Sequence, residues 1–129
     1  MWRLNTLTCF LACREAVRAM RAAGAGGRLV NVAARPVLQP AADMTAYVAA
    51  KAGVAALTQA LAVELAADRI LVNAVVPSII DTPANRAAMP RADYASWPKP
   101  AQIAETIAFL ASEANGLTSG ALVPVYGRA

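Results

Sequence analysis

Tyr47 and Lys51 are the residues of this sequence whose types and spacing could do chemistry. They lie four positions apart in Tyr47-Val-Ala-Ala-Lys51, and that spacing places two side chains one turn apart on the same face of a helix. A free phenol, with a pKa of about 10, is a weak acid at neutral pH, and a cation within about 4 to 6 Å favours its ionisation. The pair therefore predicts a proton donor, Tyr47, whose pKa is lowered by Lys51, as hydride-transfer chemistry requires. The alternative is a surface pair with no chemical role.

The segments around this pair predict a strand, a helix and a second strand. Residues 28–34 form the first β segment, and residues 70–76 are apolar and β-branched, which is typical of a strand buried on both faces. A long Ala-rich helix is predicted between them, over residues 47–67. Strand, helix and strand at this spacing form a βαβ unit, which implies a parallel sheet. Because ligands of such sheets bind beyond the carboxyl ends of the strands, we expect the loops after both strands to share a crevice with Tyr47.

The order and spacing of these segments resemble the C-terminal half of the short-chain dehydrogenase/reductase family, over nearly the whole chain. The resemblance implies an α/β fold, the C-terminal part of a Rossmann-like doubly wound parallel sheet with about three strands and flanking helices. It places the strands at about residues 29–34, 70–76 and 121–126 of a single partial Rossmann-like domain, residues 1–129. The motifs that carry it are Val30-Asn31-Val32, Tyr47-x-x-x-Lys51, Leu71-Val-Asn-Ala-Val-Val-Pro77, Ile107-Ala-Phe-Leu-Ala-Ser112 and Thr118-Ser-Gly120.

The N-terminal nucleotide-binding half of that fold is expected to be missing from these 129 residues. In the family it begins with a glycine-rich turn between a strand and a helix, where backbone amides approach the pyrophosphate. Here Gly24-Ala25-Gly26-Gly27 precedes a strand, so we interpret it as a helix C-cap and turn. The sequence does not establish whether Met1 is the true start. We expect the isolated chain to bind a dinucleotide too weakly to measure, because few contacts remain to offset its ordering.

The resemblance also implies roles for individual residues. Tyr47 would donate a proton to the substrate, and Lys51 would hold the nicotinamide ribose while lowering the pKa of the phenol. Asn5 lies where many members have an Asn that anchors a water relay to the Lys, and an Asn without that role is the alternative. The implied cofactor is NADH or NADPH, bound by the full-length form. The residues implied to contact it are Tyr47, Lys51, Pro77, Ile79, Ile80 and Thr82.

Ala34 departs from the family pattern. Most members place a Ser thirteen residues before the Tyr, where it hydrogen-bonds the substrate carbonyl, and this chain has Ala34 there. Ser78 also replaces a residue that is usually Gly. Quinonoid dihydropteridine reductases resemble this chain in lacking the first Ser, as they do over residues 81–97. Since a strongly polarised pterin needs less electrophilic help than a ketone, the first interpretation is a dihydropteridine reductase-like enzyme.

Two other interpretations stay open at this stage. A generic short-chain carbonyl or 3-oxoacyl reductase would need another hydroxyl, because losing one such donor typically costs on the order of 2.7 to 4 kcal/mol of transition-state stabilisation. A non-catalytic remnant or dimerisation module would keep the helical surface and no longer bind nucleotide. The helices of the family equivalent to residues 5–23 and 47–67 pair across a two-fold axis, which implies a homo-oligomer. The substrate of either enzyme would be a small molecule, a pterin or a carbonyl compound.

Composition and charge argue against several other classes. The net charge is +4, but the Arg residues are scattered and no aromatic residues alternate with them, so no nucleic-acid surface is expected. The chain contains no His, and Cys9 and Cys13 lie one helical turn apart without a Cys-x-x-Cys motif, which predicts buried thiols and no metal site. No apolar run reaches the roughly 18 residues of a membrane span. A cytoplasmic protein is expected.

Overall fold

Three parallel strands form the sheet of the computed structural model, which describes all 129 residues. The middle strand pairs with a strand on each side, and both pairings are parallel, which confirms the predicted α/β fold with a parallel sheet. The strand boundaries differ from the predicted ones by up to two residues, and the long helix predicted over residues 47–67 spans Thr45–Glu64. In spatial order the strands are β1 (Gly27–Val32), β2 (Ile70–Pro77) and β3 (Leu122–Val125).

Four α-helices connect and cover the strands. A turn of π-helix, Arg3–Leu7, precedes the first helix, and 3-10 turns lie at Arg35–Val37 and Tyr94–Ser96. Gly24 ends the first helix with φ 68°, a left-handed conformation that glycine adopts without strain. This confirms the predicted C-cap and turn before β1. The helices are α1 (Thr8–Ala23), α2 (Thr45–Glu64), α3 (Pro83–Ala88) and α4 (Pro100–Ala111).

The helices cover both faces of the sheet. Successive residues of a strand point to opposite faces, so β2 contributes to two separate parts of the core. Ala74 and Val76 pack against Val54 of α2, whereas Val75 packs against Ile103 of α4 on the other face. The strand predicted to be buried on both faces is therefore the centre of a helix–sheet–helix arrangement.

α2 lies close to the segment that precedes α1. Gly53 faces Thr6, and a Cβ atom added at Gly53 would lie 2.6 Å from Cγ2 of Thr6. The hydroxyl of Thr6 donates a hydrogen bond of 2.7 Å to the carbonyl of Ala50. Glycine is required here by the close approach, and the contact fixes α2 at the turn that carries Lys51.

α2 is also long and apolar enough, in length and composition, to cross a membrane. This corrects the expectation that no segment of the chain meets that criterion. The Ala-rich stretch of 20 residues contains only Lys51 and Glu64 as charged residues, and Lys51 divides its apolar run. A core helix of an α/β protein meets the same criterion, and the inner face of α2 packs on β2, so the finding is weak evidence for a membrane span.

Candidate active site

A cleft of about 560 Å³ opens beyond the carboxyl ends of β1 and β2. Ligands of parallel sheets bind at this edge because the strand-to-helix loops converge there. α2 contributes Tyr47, the loop after β1 contributes Ala34, and the loop after β2 contributes the opposite wall. We call this the site cleft; it is lined chiefly by Ala34, Asp43, Tyr47, Pro77, Ser78, Ile79, Ile80, Asn85 and Met89.

Lys51 and Asn5 line a neighbouring cavity of about 340 Å³, the lysine cavity. The ammonium of Lys51 donates a hydrogen bond of 2.9 Å to the carbonyl of Val32, the last residue of β1. Nδ2 of Asn5 donates to the carbonyl of Met1 at 3.0 Å. The structure therefore brings Asn5 and Lys51 to one cavity, and their catalytic roles stay predictions.

Tyr47 and Lys51 perturb each other less than their spacing predicts. Burial raises the pKa of Tyr47 above its ordinary value. Burial also lowers the pKa of Lys51, and the neighbouring Cys9 thiol acts in the opposite direction. The pKa shift of Tyr47 is therefore opposite in direction to the predicted one, and burial of the phenol is its cause. The phenol is consequently protonated at neutral pH, the form that a proton donor needs.

Ala34 and its neighbours leave the position of the missing Ser without a hydroxyl. Ala33 and Ala34 are only 3% and 5% exposed. The next residue, Arg35, is engaged elsewhere, since its Nε donates to Oε1 of Gln39 at 2.8 Å and its guanidinium lies 4.8 Å from the centre of the Tyr126 ring. No side chain of this loop replaces the absent donor.

Ser78 lines the site cleft from the loop after β2. Its Oγ donates a hydrogen bond of 2.9 Å to the carbonyl of Tyr126. The φ angle of Ser78 is not positive, so the backbone does not require the glycine that is usual at this position. The sequence shows the replacement, but only the fold shows that Ser78 lines the site cleft and that its hydroxyl bonds to the carbonyl of Tyr126.

The backbone of the same loop also faces the site cleft. Pro77 ends β2 and is buried, and Ile79 is partly exposed. The amides of Ser78, Ile79 and Ile80 do not donate to any backbone carbonyl. They are therefore available to a polar ligand group such as a carboxamide.

Thr82 is placed differently from the other predicted cofactor contacts. Its Oγ accepts a hydrogen bond of 3.2 Å from the amide of Asn85 and so caps α3. The structure does not bring Thr82 to the wall of the site cleft. The hydroxyl of Thr82 is therefore engaged in capping α3. Nδ2 of Asn85 donates a hydrogen bond of 2.7 Å to the carbonyl of Ile80 and so positions the loop at the edge of the site cleft.

An ion pair and two aromatic rings hold α3 against the turn that follows it. The guanidinium of Arg86 contacts both carboxylate oxygens of Asp81, at 2.6 and 2.9 Å, and lies 4.8 Å from the centre of the Tyr94 ring. Tyr94 packs at 5.0 Å against Trp97, which is buried. These contacts hold residues 81–97 together beside the site cleft, and we call these residues the lid segment.

Asp43, Asn85 and Met89 line the site cleft and were not predicted from the sequence. Asp43 has φ 61°, in the left-handed region that a non-glycine residue seldom adopts, and it lies two residues before α2. Met89 and Asn85 reach the cleft from the end and the first turn of α3. An Asp before a helix is a recognisable signal, but nothing in the spacing of the other two indicates the cleft.

The residues present fit the nicotinamide and ribose end of NAD(P)H. A cation at Lys51, free amides in the loop after β2 and a protonated Tyr47 are the groups that this end requires. They do not fit the pyrophosphate end. Gly26 and Gly27 are packed against protein, because a Cβ at Gly26 would lie 2.6 Å from the carbonyl oxygen of Arg69 and one at Gly27 would overlap Met20.

Comparison with known proteins gives consistent matches over most of the chain. Residues 1–93 match the family model for short chain dehydrogenase. The chain is 43% identical to cis-4-hydroxycyclohexanecarboxylate dehydrogenase from Sinomonas cyclohexanicum, covering 91% of this chain and 50% of that protein. The crystal structure of acetoin dehydrogenase from Enterobacter cloacae is 37% identical, with a TM-score of 0.82, over 93% of this chain and 49% of that one. That of 3-ketoacyl-(acyl-carrier-protein) reductase from Brucella melitensis, complexed with NADH, is 30% identical, with a TM-score of 0.78, over 92% and 51%.

The chain therefore belongs to the short chain dehydrogenase family, a family of oxidoreductases. It spans about half the length of the curated relatives that it matches. The three parallel strands with flanking helices are those of the C-terminal half of the Rossmann-like fold of the family. None of the three relatives named above is a dihydropteridine reductase.

Proposed function

We propose that this chain carries the proton-donating half of an NAD(P)H-dependent short-chain oxidoreductase. The observation that carries the proposal is the position of Tyr47 in the site cleft, beyond the carboxyl ends of β1 and β2, with Lys51 one turn later on α2. Bound NAD(P)H supplies the hydride. Tyr47 donates the proton to the atom of the substrate that becomes electron-rich, and its raised pKa keeps that proton in place at neutral pH.

Lys51 and Asn5 support this step from the lysine cavity. Lys51 binds the ribose of the nicotinamide and supplies positive charge when the Tyr47 phenolate forms. Asn5 anchors a water next to Lys51, through which the proton of Tyr47 is replaced. Pro77, Ile79 and Ile80 form the wall against the nicotinamide, and the free amides of the loop bind its carboxamide.

A small carbonyl compound, or the alcohol that it forms, is the substrate class proposed first. The relatives named above support it, since they comprise a dehydrogenase of a hydroxy acid, an acetoin dehydrogenase and a ketoacyl reductase. The partly apolar wall of the site cleft suits a substrate of this kind.

A quinonoid dihydropterin is the second candidate, and Ala34 is the observation that favours it. A ketone reductase without the usual Ser donor loses about 2.7 to 4 kcal/mol of transition-state stabilisation. A pterin acceptor that is already polarised needs that donor less. The two candidates therefore respond differently to restoration of the hydroxyl by Ala34→Ser.

A chimera tests the proposal, because the chain spans about half of each relative. The nucleotide-binding half of acetoin dehydrogenase from Enterobacter cloacae is fused to residues 1–129, and NADH binding is measured first as the control for folding. NADH oxidation is then followed with acetoin and with quinonoid dihydropterin. We expect Tyr47→Phe to lower turnover by about 10²- to 10⁴-fold with little change in NADH affinity, and Lys51→Ala to lower both.

The outcome of this experiment also separates the remaining interpretations. Ala34→Ser raises turnover of acetoin more than that of the pterin if the cleft is a carbonyl site. A chimera that binds NADH but turns over neither substrate, or that is unaffected by Tyr47→Phe, contradicts the proposal and supports a non-catalytic module.

We further propose a homo-oligomer through the outer faces of α1 and α2. Phe10 on α1 is 48% exposed and Val63 on α2 is 81% exposed, and Phe10 and Leu57 line a shallow hollow between the helices. Exposed apolar side chains on two adjacent helices favour association with a second copy. Sedimentation should show a dimer or larger oligomer that Phe10→Glu dissociates, whereas a monomer at micromolar concentration contradicts the proposal.

A further inference from the structure

One carboxylate of the site cleft has no role in the proposed mechanism. Asp43 lines the cleft together with Tyr47 and is the one charged side chain among the lining residues. Lys51 lines the neighbouring lysine cavity, and Arg35 is bonded to Gln39, so neither of these cations lines the site cleft. The side chains of the cleft therefore carry one negative charge and no positive charge.

No group of the protein engages the carboxylate of Asp43. An Asp near the start of a helix commonly caps it, but the N-cap residue of α2 is Met44 and no side chain makes a capping hydrogen bond there. The ion pairs of the chain are formed by other acids, and Asp43 is exposed. Its φ of 61° is one that non-glycine residues seldom adopt, and such strain collects at functional sites. The carboxylate is therefore available to a ligand in the cleft.

Asn85 supplies a second hydrogen-bond acceptor to the same cleft. Its Nδ2 donates to the carbonyl of Ile80, and this fixes the orientation of the amide because a carbonyl oxygen only accepts. Oδ1 of Asn85 receives no hydrogen bond from the protein. The chain has no buried side-chain oxygen without a partner, so this oxygen is open to solvent. Two acceptors without a cation suit a ligand group that is positively charged and carries several N–H donors.

We propose that the site cleft selects a carbonyl substrate that carries an ammonium group, with Asp43 as the specificity-determining residue. The inference rests on the proposed function, in which the carbonyl oxygen of the substrate lies at Tyr47. The ammonium group donates hydrogen bonds to the Asp43 carboxylate and to Oδ1 of Asn85. A substrate with a carboxylate at that position meets the like charge of Asp43 and is disfavoured. Because Asp43 is exposed, the charge pair has its strength in water, which at about 4 Å changes affinity about fivefold in either direction.

Binding of three ring ketones to the isotopically labelled chain tests the proposal. The ligands are cyclohexanones with an ammonium, a hydroxyl or a carboxylate group on the carbon opposite the ketone, so they differ mainly in charge. Chemical-shift changes at the amides of residues 43–47 and 78–80 report occupancy of the cleft. At low salt we expect the Kd of the ammonium ligand to be about fivefold below that of the hydroxyl ligand, and the Kd of the carboxylate ligand about fivefold above it. Both differences should shrink in about 1 M salt, where the screening length is about 3 Å.

Two variants that each remove one negative charge form a matched pair. Asp43→Asn should make the three Kd values similar, and Asn tolerates the left-handed backbone conformation as Asp does. Glu105→Gln removes a charge from the exposed surface of α4, on the other face of the sheet, and should leave the preference unchanged.

Four results would each overturn the proposal. They are equal Kd values for the three ligands in the wild-type chain, a preference that survives Asp43→Asn, a preference that disappears in Glu105→Gln, and the absence of any shift with the ammonium ligand. Because neither cofactor nor turnover is involved, none of these results bears on Tyr47 as proton donor, which the chimera tests.

Discussion

The close contact between Gly53 and Thr6 leads to a prediction whose sign depends on the partner residue. Gly53→Ala should gain about 1 kcal/mol of helix propensity within α2. The new Cβ would, however, lie 2.6 Å from Cγ2 and 2.8 Å from Oγ1 of Thr6, and overpacking of this kind typically costs about 1 to 3 kcal/mol. We therefore expect a net loss of about 1 kcal/mol in the free energy of unfolding, or roughly 4 °C in Tm.

Removing the partner atoms should reverse that result. Thr6→Ala alone should cost about 1 kcal/mol, because its hydrogen bond to the carbonyl of Ala50 is lost. In the Thr6→Ala background, Gly53→Ala should instead stabilise by about 1 kcal/mol, since only the propensity gain remains. The coupling energy of the double-mutant cycle is then about 2 kcal/mol.

Urea unfolding of the four chains, followed by circular dichroism, measures these differences. Gly116→Ala is the control, because no heavy atom lies within 4 Å of the added Cβ, and it should change stability by no more than about 0.5 kcal/mol. A stabilisation by Gly53→Ala in both backgrounds would refute the reasoning. It would mean that α2 is not fixed against the segment before α1.

Three further predictions follow from buried or charged groups. Asn73→Ala should lower the free energy of unfolding in urea by about 2 to 5 kcal/mol, because the carbonyl of Thr118 and the amide of Ala121 lose their hydrogen-bond partner. Gln59→Ala is the control: Gln59 is exposed, so its replacement should change the free energy of unfolding by less than about 0.5 kcal/mol. The pKa of Asp81 is lowered chiefly by its hydrogen bond to Arg86. The ion pair therefore stabilises the lid segment fully at pH values above the ordinary Asp pKa. This stabilisation is lost as the pH falls through the lowered pKa that Asp81 has in the folded chain. Near-ultraviolet circular dichroism should show this acid transition in the wild type, and Arg86→Met should abolish it. A pH titration of phenolate absorbance, with the Tyr47→Phe curve subtracted, isolates the ionisation of Tyr47. Its midpoint should lie above about 10, since burial raises the pKa of Tyr47. A midpoint below that value would show that a nearby cation affects the pKa more than burial does.

The sequence predicts those parts of the fold that local pattern controls. The β-branched run of β2 indicates a strand buried on both faces, and Val75 and Val76 do pack on opposite faces. The glycines at residues 24–27 predict a turn because they lie directly before the residues of β1 in the sequence. Gly24 adopts the expected left-handed conformation at the end of α1. Tyr47 is likewise placed at the site cleft by the order of strand, loop and helix alone.

What the sequence does not predict depends on tertiary packing. The spacing of Tyr47 and Lys51 is local, but the pKa of each depends on how much of the sheet and loops covers it, and burial is the largest cause of both shifts. Thr82 was expected to contact the cofactor, yet its hydroxyl caps α3, because the boundary of that short helix sets its partner. The partner of the Ser78 hydroxyl, the carbonyl of Tyr126, lies 48 residues further along the chain and is set by the fold.

The central claim is that the site cleft binds the nicotinamide end of NAD(P)H with Lys51 as its anchor and Tyr47 as proton donor. It is tested most directly by titrating the isotopically labelled chain with reduced nicotinamide mononucleotide, which lacks the half of the cofactor that the chain does not fit. We expect chemical-shift changes at the amides of Ser78, Ile79 and Ile80 with a Kd of about 1 mM, equivalent to about −4 kcal/mol. Lys51→Ala should abolish these changes, and Tyr47→Phe should leave them in place. If millimolar ligand shifts none of these amides, or if Lys51→Ala binds as the wild type does, the site is not a nicotinamide site.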